Sequence, residues 1–348
     1  MKVSRRINEI RMRIMHQLTK NIGKSHLKTN LNSGEIPEIK RILISRPNHR
    51  LGNQLLLTPL VQEVIETFPG CKIDLFVKGG VAHAVFENYE NVQNIIQLPR
   101  EPFKNLIKYI FCWSKLKKHE YDLVINGDQK SSSGRLSTQF AKAKYKMFGE
   151  SIDEIKEKYD DYDHISKYPI YNLRYYLTRI GFPENNKPIP TLNIKLSKAE
   201  IDKGNSILKN IVNNDKPTIC IYTNATGNKI YDENWWAILY ERLKNDFPNH
   251  NIIELLPIEN ISKINFKAPT LYSKDVREMC ALLANTSIFI APDNGVMHLA
   301  SAAQIPVVGF FKVTKIEKYQ PYGNGSIAYN TNETSIEDWL KGISNILS

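Results

Sequence analysis

The chain has 348 residues, 42% of them apolar, and a formal net charge of +11, which is long for one core and suits two domains of ordinary size. No stretch reaches the roughly 18 consecutive apolar residues that a membrane-spanning helix needs. Cys71, Cys112, Cys220 and Cys280 are scattered without a C-x-x-C pair, which speaks against a metal centre or disulfide framework and fits a reducing compartment.

Residues 1–28 hold eight basic residues against Glu9 alone. Val3, Ile7, Ile10, Ile14 and Leu18 recur every three or four positions among them, the spacing of a basic amphipathic helix. Such a helix suits a peripheral membrane contact through residues 1–28, or a dock on the protein's own surface or a partner's. It lacks aromatic side chains for base stacking, so no nucleic-acid partner is expected. No apolar segment ahead of a small-residue cleavage site marks a secretion signal, so the expected location is cytoplasmic, at the inner face of the membrane if the helix binds lipid. Residues 29–39 read as linker.

Arg41 to Ser45 is a buried strand, Arg46 to Asn53 a loop, and Gln54 to Phe68 a helix with Pro59 as a kink or restart. Gly52, just before that helix, allows close backbone approach. Lys72 to Val77 and Asn94 to Leu98 read as strands, Phe103 to Lys118 as a helix, and Tyr121 to Asn126 as a further buried strand. The loop Gly127 to Gly134 would open on the same sheet edge as the loop carrying Asn53. It contains Asp128, and His49 lies in the earlier loop with an unperturbed pKa suited to general base work. Residues 150–169 are rich in charges and tyrosines, Ile170 to Ile180 is a helix, and residues 184–190 have boundary composition.

In the second half Ser197 opens a helix with a capping-box pattern, and Pro217 to Tyr222 is a strand. A small-residue loop then leads to Lys229, and Glu233 to Phe247 is a helix carrying Trp235 and Trp236. Asn251 to Leu256 is a strand and Asp275 to Ala284 a helix. From Ser287 to Phe311 an apolar run, the turn Pro292-Asp293-Asn294-Gly295, a helical stretch and a second apolar run make a β-turn-α-β unit. The turn belongs at the carboxyl end of its strand, where the following helix favours a phosphate or diphosphate. Asp293 would cap that helix or take a hydroxyl, Gly295 admit a ligand, and His298 sit in its first turn. Ser335 to Leu347 is a closing helix.

The stretch DNGVMHLASAAQIPVVGFF closely resembles the (D/N)-(S/T/N)-G-x-x-H-(L/I)-A-x-A-x-x-x-P block of glycosyltransferase family 9, the heptosyltransferases of the lipopolysaccharide inner core. Residues 41–77 resemble the family's opening, R-x-D-x-(L/M)-G-D, in which the aspartate after the glycine is the proposed base; here that residue is Asn53, whose amide takes no proton at neutral pH. Asn126 departs likewise from Y-D-x-V-(I/V)-D, which makes Asp128 the expected replacement base and His49 the next choice. The resemblance implies donor contacts from Thr223, Asn224, Lys229, Asp293, Asn294, Gly295, Val296, Met297 and His298, with Lys229 facing the departing nucleotide. Arg46, Arg50 and Gly52 fall on the acceptor-side loop. It also places Tyr272 to Lys274 near the nucleobase, and in the motif's tail Lys312 and Val313 depart from the family pattern.

The resemblance implies a GT-B architecture: residues 1–39 basic helix and linker, 40–185 an acceptor-side Rossmann-like domain, 186–325 a donor-side one facing it across a central cleft, and 326–348 a terminal helix that crosses back onto the first domain. The implied reaction is transfer of a sugar, heptose from ADP-heptose, to a lipopolysaccharide-type or lipid-linked acceptor, with no cofactor and no metal. The alternatives are a silent nucleotide-sugar-binding relative, supported by Asn53, and another GT-B enzyme with a different nucleotide sugar.

Overall fold

The computed structural model describes residues 36–101 and 104–348, together with 13, 14, 17, 19, 21–23 and 25. The predicted amphipathic helix therefore lies largely outside the described residues. From residue 36 onward the first half contains β1 (Arg41–Arg46), α1 (Leu51–Leu55), α2 (Thr58–Thr67), β2 (Lys72–Lys78), α3 (Ala82–Phe86), β3 (Val92–Leu98), α4 (Leu106–Lys115), β4 (Glu120–Asn126), α5 (Ser132–Phe140), β5 (Lys142–Met147), α6 (Asp153–Lys158) and α7 (Tyr168–Thr178). The second contains α8 (Lys198–Val212), β6 (Thr218–Ile221), a 3-10 turn (Gly227–Lys229), α9 (Glu233–Asp246), β7 (Asn251–Leu255), β8 (Thr270–Leu271), α10 (Val276–Leu283), β9 (Ile288–Pro292), α11 (Gly295–Ala302), β10 (Val307–Phe311), α12 (Ile316–Tyr319), β11 (Ile327–Asn330) and α13 (Ile336–Leu347). The chain divides into two compact units at residue 190, and residues 51–58 and 84–88, expected in the first domain, group with the second unit.

The first unit is built on a parallel sheet in the order β3-β2-β1-β4-β5. Apolar runs in β1 and β4 bury Leu43 and Val124 completely, and α4 covers them with Cys112 and Leu116. The strand order reverses between β1 and β4, so the loops after these two strands diverge and leave room at the carboxyl edge. Asn126 closes β4 with its amide used in full: Nδ2 donates to the carbonyls of Asp128 (3.0 Å) and Phe148 (2.7 Å), and Oδ1 accepts from the Asp128 N–H. A carboxylate there would face two carbonyls with no proton to give. Asn126→Asp is therefore expected to lower stability by about 1–3 kcal/mol, read as an earlier denaturation midpoint at unchanged m. Of the described residues in the basic segment, Thr19 accepts from Arg135 at 2.8 Å, and Ser25 donates to Glu150 at 2.6 Å.

The second unit has a parallel sheet in the order β11-β10-β9-β6-β7-β8, reversing between β6 and β9. Every residue of β9 and β10 is buried, as expected for central strands covered on both faces. In the closing helix α13, Trp339, Leu340 and Ile343 pack in the second unit's own core with Trp236, Leu239 and Phe310. Ser197 and Glu200 form the predicted capping box at α8, and Glu200 also receives Arg277 of α10 through a forked pair, Nε at 2.5 Å and Nη2 at 3.0 Å. The same guanidinium donates to the carbonyls of Ala84, Ile194 and Lys195. One buried side chain thus ties α10, the start of α8, residues 194–195 and the segment 84–88 together.

Candidate functional site

At the reversal point of the first sheet, β1 and β4 run in register with Ser45 opposite Asn126, and the Gly127 N–H donates to the Ser45 carbonyl at 2.9 Å. Beyond them Arg46 is fully buried, while His49 and Arg50 are exposed. Partial desolvation of the ring against the loop, followed by the charges of Lys78, Arg100 and Arg50, lowers the His49 pKa from its ordinary value and so favours the neutral ring. Asp128 is half-buried, and its Oδ1 accepts the Lys130 N–H at 3.0 Å in an Asx turn. Burial and then the Asp128 charge push the Tyr168 phenol upward, and Tyr168 pins the same loop through the Gln129 N–H and the Gly127 carbonyl. Next to this edge, at the ends of β2 and β3, a cavity of about 290 Å³ is lined by Gly79, Gln97, Arg100, Asn105 and Lys108 among others. Its cationic lining suits an anionic ligand group.

The reversal point of the second sheet brings the loop after β6 to the loop after β9. Lys229 Nζ meets Asp293 Oδ2 at 2.7 Å, with the lysine side chain 32% exposed and the carboxylate 6%. The cap of α11 is Asn294 rather than Asp293: Oδ1 accepts the N–H groups of Val296 (2.7 Å) and Met297 (2.9 Å), while Nδ2 donates to the carbonyls of Pro292 and Asn224. A carboxylate could cap the helix but could not donate to the two carbonyls, which explains why the amide holds this place.

Gly295 opens α11 against Gly52 of α1. A Cβ on Gly52 would lie 2.9 Å from His298 Cδ2 and 3.2 Å from the Gly295 Cα, so glycine is what lets the two helices approach. His298 is buried in this contact, and Asn53 follows on α1, half-buried and also in the second unit.

Met297 and Thr223, two of the residues expected at the donor, also hold the loops together. The Met297 side chain is wholly buried and its N–H is bonded to Asn294. The Thr223 hydroxyl donates to Glu254 at 2.6 Å and accepts the Lys263 N–H, so it braces the loop from beneath. Lys312, noted in the sequence only as a departure from the family motif, lies at the end of β10 with Nζ 2.5 Å from the Ile230 carbonyl and 4.5 Å from the centre of the Tyr231 ring. The carboxyl edge of the second sheet therefore carries two ammonium groups, on Lys229 and Lys312, beside the start of a helix. This is an arrangement for a polyanion such as a diphosphate. Among the described residues no three His, Cys, Asp or Glu side chains are grouped to hold a metal ion.

Residues 111–339 match the family model of glycosyltransferase family 9 (heptosyltransferase). A search of curated proteins finds none that matches. Among solved structures, the glycosyl transferase family 9 protein of Veillonella parvula DSM 2008 superposes with a TM-score of 0.70 at 15% identity, covering 90% of this chain and 99% of that one. Heptosyltransferase WaaC of E. coli, solved with ADP, gives 0.63 at 15% identity over 88% and 99% of the two chains. ADP-heptose lps heptosyltransferase II of E. coli gives 0.63 at 13% identity over 89% and 98%. At these identities the likeness is one of fold, and it identifies the two parallel-sheet units as GT-B.

Proposed function

The chain belongs to glycosyltransferase family 9, the heptosyltransferases, and from this we propose that it moves heptose from ADP-heptose to a lipopolysaccharide-type acceptor without a metal ion. The observation that carries the reading is the Lys229–Asp293 pair at the reversal point of the second sheet, with Lys312 on the neighbouring strand end. The acceptor hydroxyl attacks the anomeric carbon of the donor, the bond from that carbon to the diphosphate oxygen breaks, and ADP departs with the bonding electrons. Lys229 stabilises the charge growing on the diphosphate, where a cation is most effective. Asp128 takes the hydroxyl proton in place of the family aspartate that Asn53 replaces.

The cationic cavity beside Arg100 and Lys108 supports an acceptor bearing phosphate or carboxylate groups. A membrane-held acceptor also suits the basic residues 1–28, acting at the inner face of the cytoplasmic membrane.

Thermal-shift screening against ADP-, GDP- and UDP-sugars tests the donor, since a ligand at about 100 times its Kd stabilises by about 2.7 kcal/mol. The largest shift is expected from ADP-heptose, and a larger one from a UDP- or GDP-sugar would displace it as donor. Asp128→Asn is expected to lower kcat/KM by about 100-fold or more and His49→Gln to leave it near the parent's. Full activity in Asp128→Asn would remove Asp128 from the role, and a large gain on Asn53→Asp would favour a silent relative.

A further inference from the structure

Helix α4 is apolar on two faces, and one of them is turned away from the first unit's core. Cys112 and Leu116 are buried and Trp113 packs edge-on to Phe76 with ring centres 5.2 Å apart, which anchors the helix to the sheet. On the opposite side Leu106, Ile107, Ile110 and Phe111 are 55%, 88%, 59% and 58% exposed. At the α-helical rotation of about 100° per residue these four fall within one arc of about 140°, so they form a single strip. Phe140, at the end of α5, extends it: the ring is 41% exposed and 5.9 Å from Trp113. Isolated exposed apolar residues need no explanation, but a contiguous strip of this size marks an interaction surface.

The charges around the strip say what covers it. Lys108, Lys115, Lys117 and Lys118 lie on or just after this helix, Lys104 before it pairs with Glu101 at 2.5 Å, and no acidic residue occurs between Glu101 and Glu120. Lys115 Nζ lies 4.9 Å from the centre of the Phe111 ring and Lys117 Nζ 4.2 Å from that of Phe140, so the ammonium groups stand at the rim of the apolar surface. A second copy of the chain would bring the same lysines against these, and like charges would oppose the contact. An anionic lipid surface answers both features, with acyl chains for the strip and headgroups for the rim. No described helix is long and apolar enough to cross a membrane, so the contact is peripheral.

We propose that the outward face of α4, with Phe140, docks on the surface of an anionic lipid bilayer. This is a contact separate from the basic residues 1–28, and it holds whichever sugar is transferred. Because Lys108 also lines the cationic cavity at the ends of β2 and β3, docking sets lipid headgroups beside that cavity.

The test is co-sedimentation of the full chain with phosphatidylcholine vesicles prepared with and without phosphatidylglycerol. Binding is expected to vesicles containing phosphatidylglycerol, to fall by about tenfold or more in the double variant Ile107→Glu/Phe111→Glu, and to show a weaker preference for anionic lipid in Lys115→Glu/Lys118→Glu. Both residues of the first pair are exposed, so its thermal unfolding should match the parent's, which separates lost docking from lost folding. Undiminished vesicle binding by Ile107→Glu/Phe111→Glu would overturn the proposal. So would absence of vesicle binding by the parent alongside a concentration-dependent dimer that this variant abolishes, since a second copy would then be the occupant.

Discussion

Lys229→Ala is expected to lower kcat by about 100- to 1,000-fold, the range seen when one preorganised donor to a developing negative charge is removed. The argument is positional. Lys229 stands on the loop after β6 and is oriented by Asp293, which is almost fully buried and whose Oδ2 is 2.7 Å away. An ammonium group has three donors, so it can keep Asp293 and still reach a phosphate oxygen. Because charge on the diphosphate grows as the sugar bond breaks, the loss should fall mainly on kcat, with the donor KM changing only a few-fold. Lys229→Arg keeps the charge but not the compact geometry and should recover part of the rate. Asp293→Asn leaves the ammonium in place but less well aimed, so its defect should be smaller than that of Lys229→Ala. ADP release under saturating donor measures all three, and an unchanged kcat in Lys229→Ala would take the lysine out of the reaction.

The largest effect on stability is expected from Arg277→Ala, about 3 kcal/mol, because the buried guanidinium is the charged donor to the half-buried Glu200 carboxylate. Here the loss extends beyond Glu200, since the Ala84, Ile194 and Lys195 carbonyls lose their donor as well. Arg277→Lys should restore little, as a single ammonium cannot reproduce the fork. The pair also sets a pH dependence. The hydrogen bond from Arg277 lowers the Glu200 pKa to about 2 from an ordinary 4.5. A lowered carboxylate pKa contributes stability that is present above 4.5 and is lost as pH falls from there toward about 2. The stability gap between the parent and Arg277→Ala should therefore be widest near neutrality and narrow below pH 4.5. Urea denaturation at a series of pH values measures it, and a gap constant down to pH 3 would show that the carbonyl contacts, not the ion pair, carry the effect.

The parts of the fold visible in the sequence are those whose signals are local. The unit β9-α11-β10 was readable from two continuous apolar runs around Pro292-Asp293-Asn294-Gly295, and α8 from the Ser197 and Glu200 box. Two edge strands were not. In β5 lysine occupies every second position, Lys142, Lys144 and Lys146, a pattern that protects an exposed sheet edge but hides the strand. In β11 all four residues are only half-buried. The first turn of α5, Ser132 to Gly134, reads as the end of the loop after β4, yet Ser131 caps the helix there.

At the site, Lys229 could be placed from its loop, but its pairing with Asp293 spans 64 positions and depends on the sheet bringing β6 beside β9. The choice of Asn294 over Asp293 as cap turns on two carbonyls, those of Pro292 and Asn224, that become neighbours only in the fold. The pairing of Arg277 with Glu200, 77 positions apart, had no sequence signal.

The account rests on the carboxyl edge of the second sheet being where the donor's diphosphate binds. A crystal structure at saturating ADP tests this most directly. The prediction is a diphosphate oxygen within about 3 Å of Lys229 Nζ, beside the start of α11. A nucleotide bound elsewhere, or the Lys229–Asp293 pair left closed with no phosphate beside it, would contradict it.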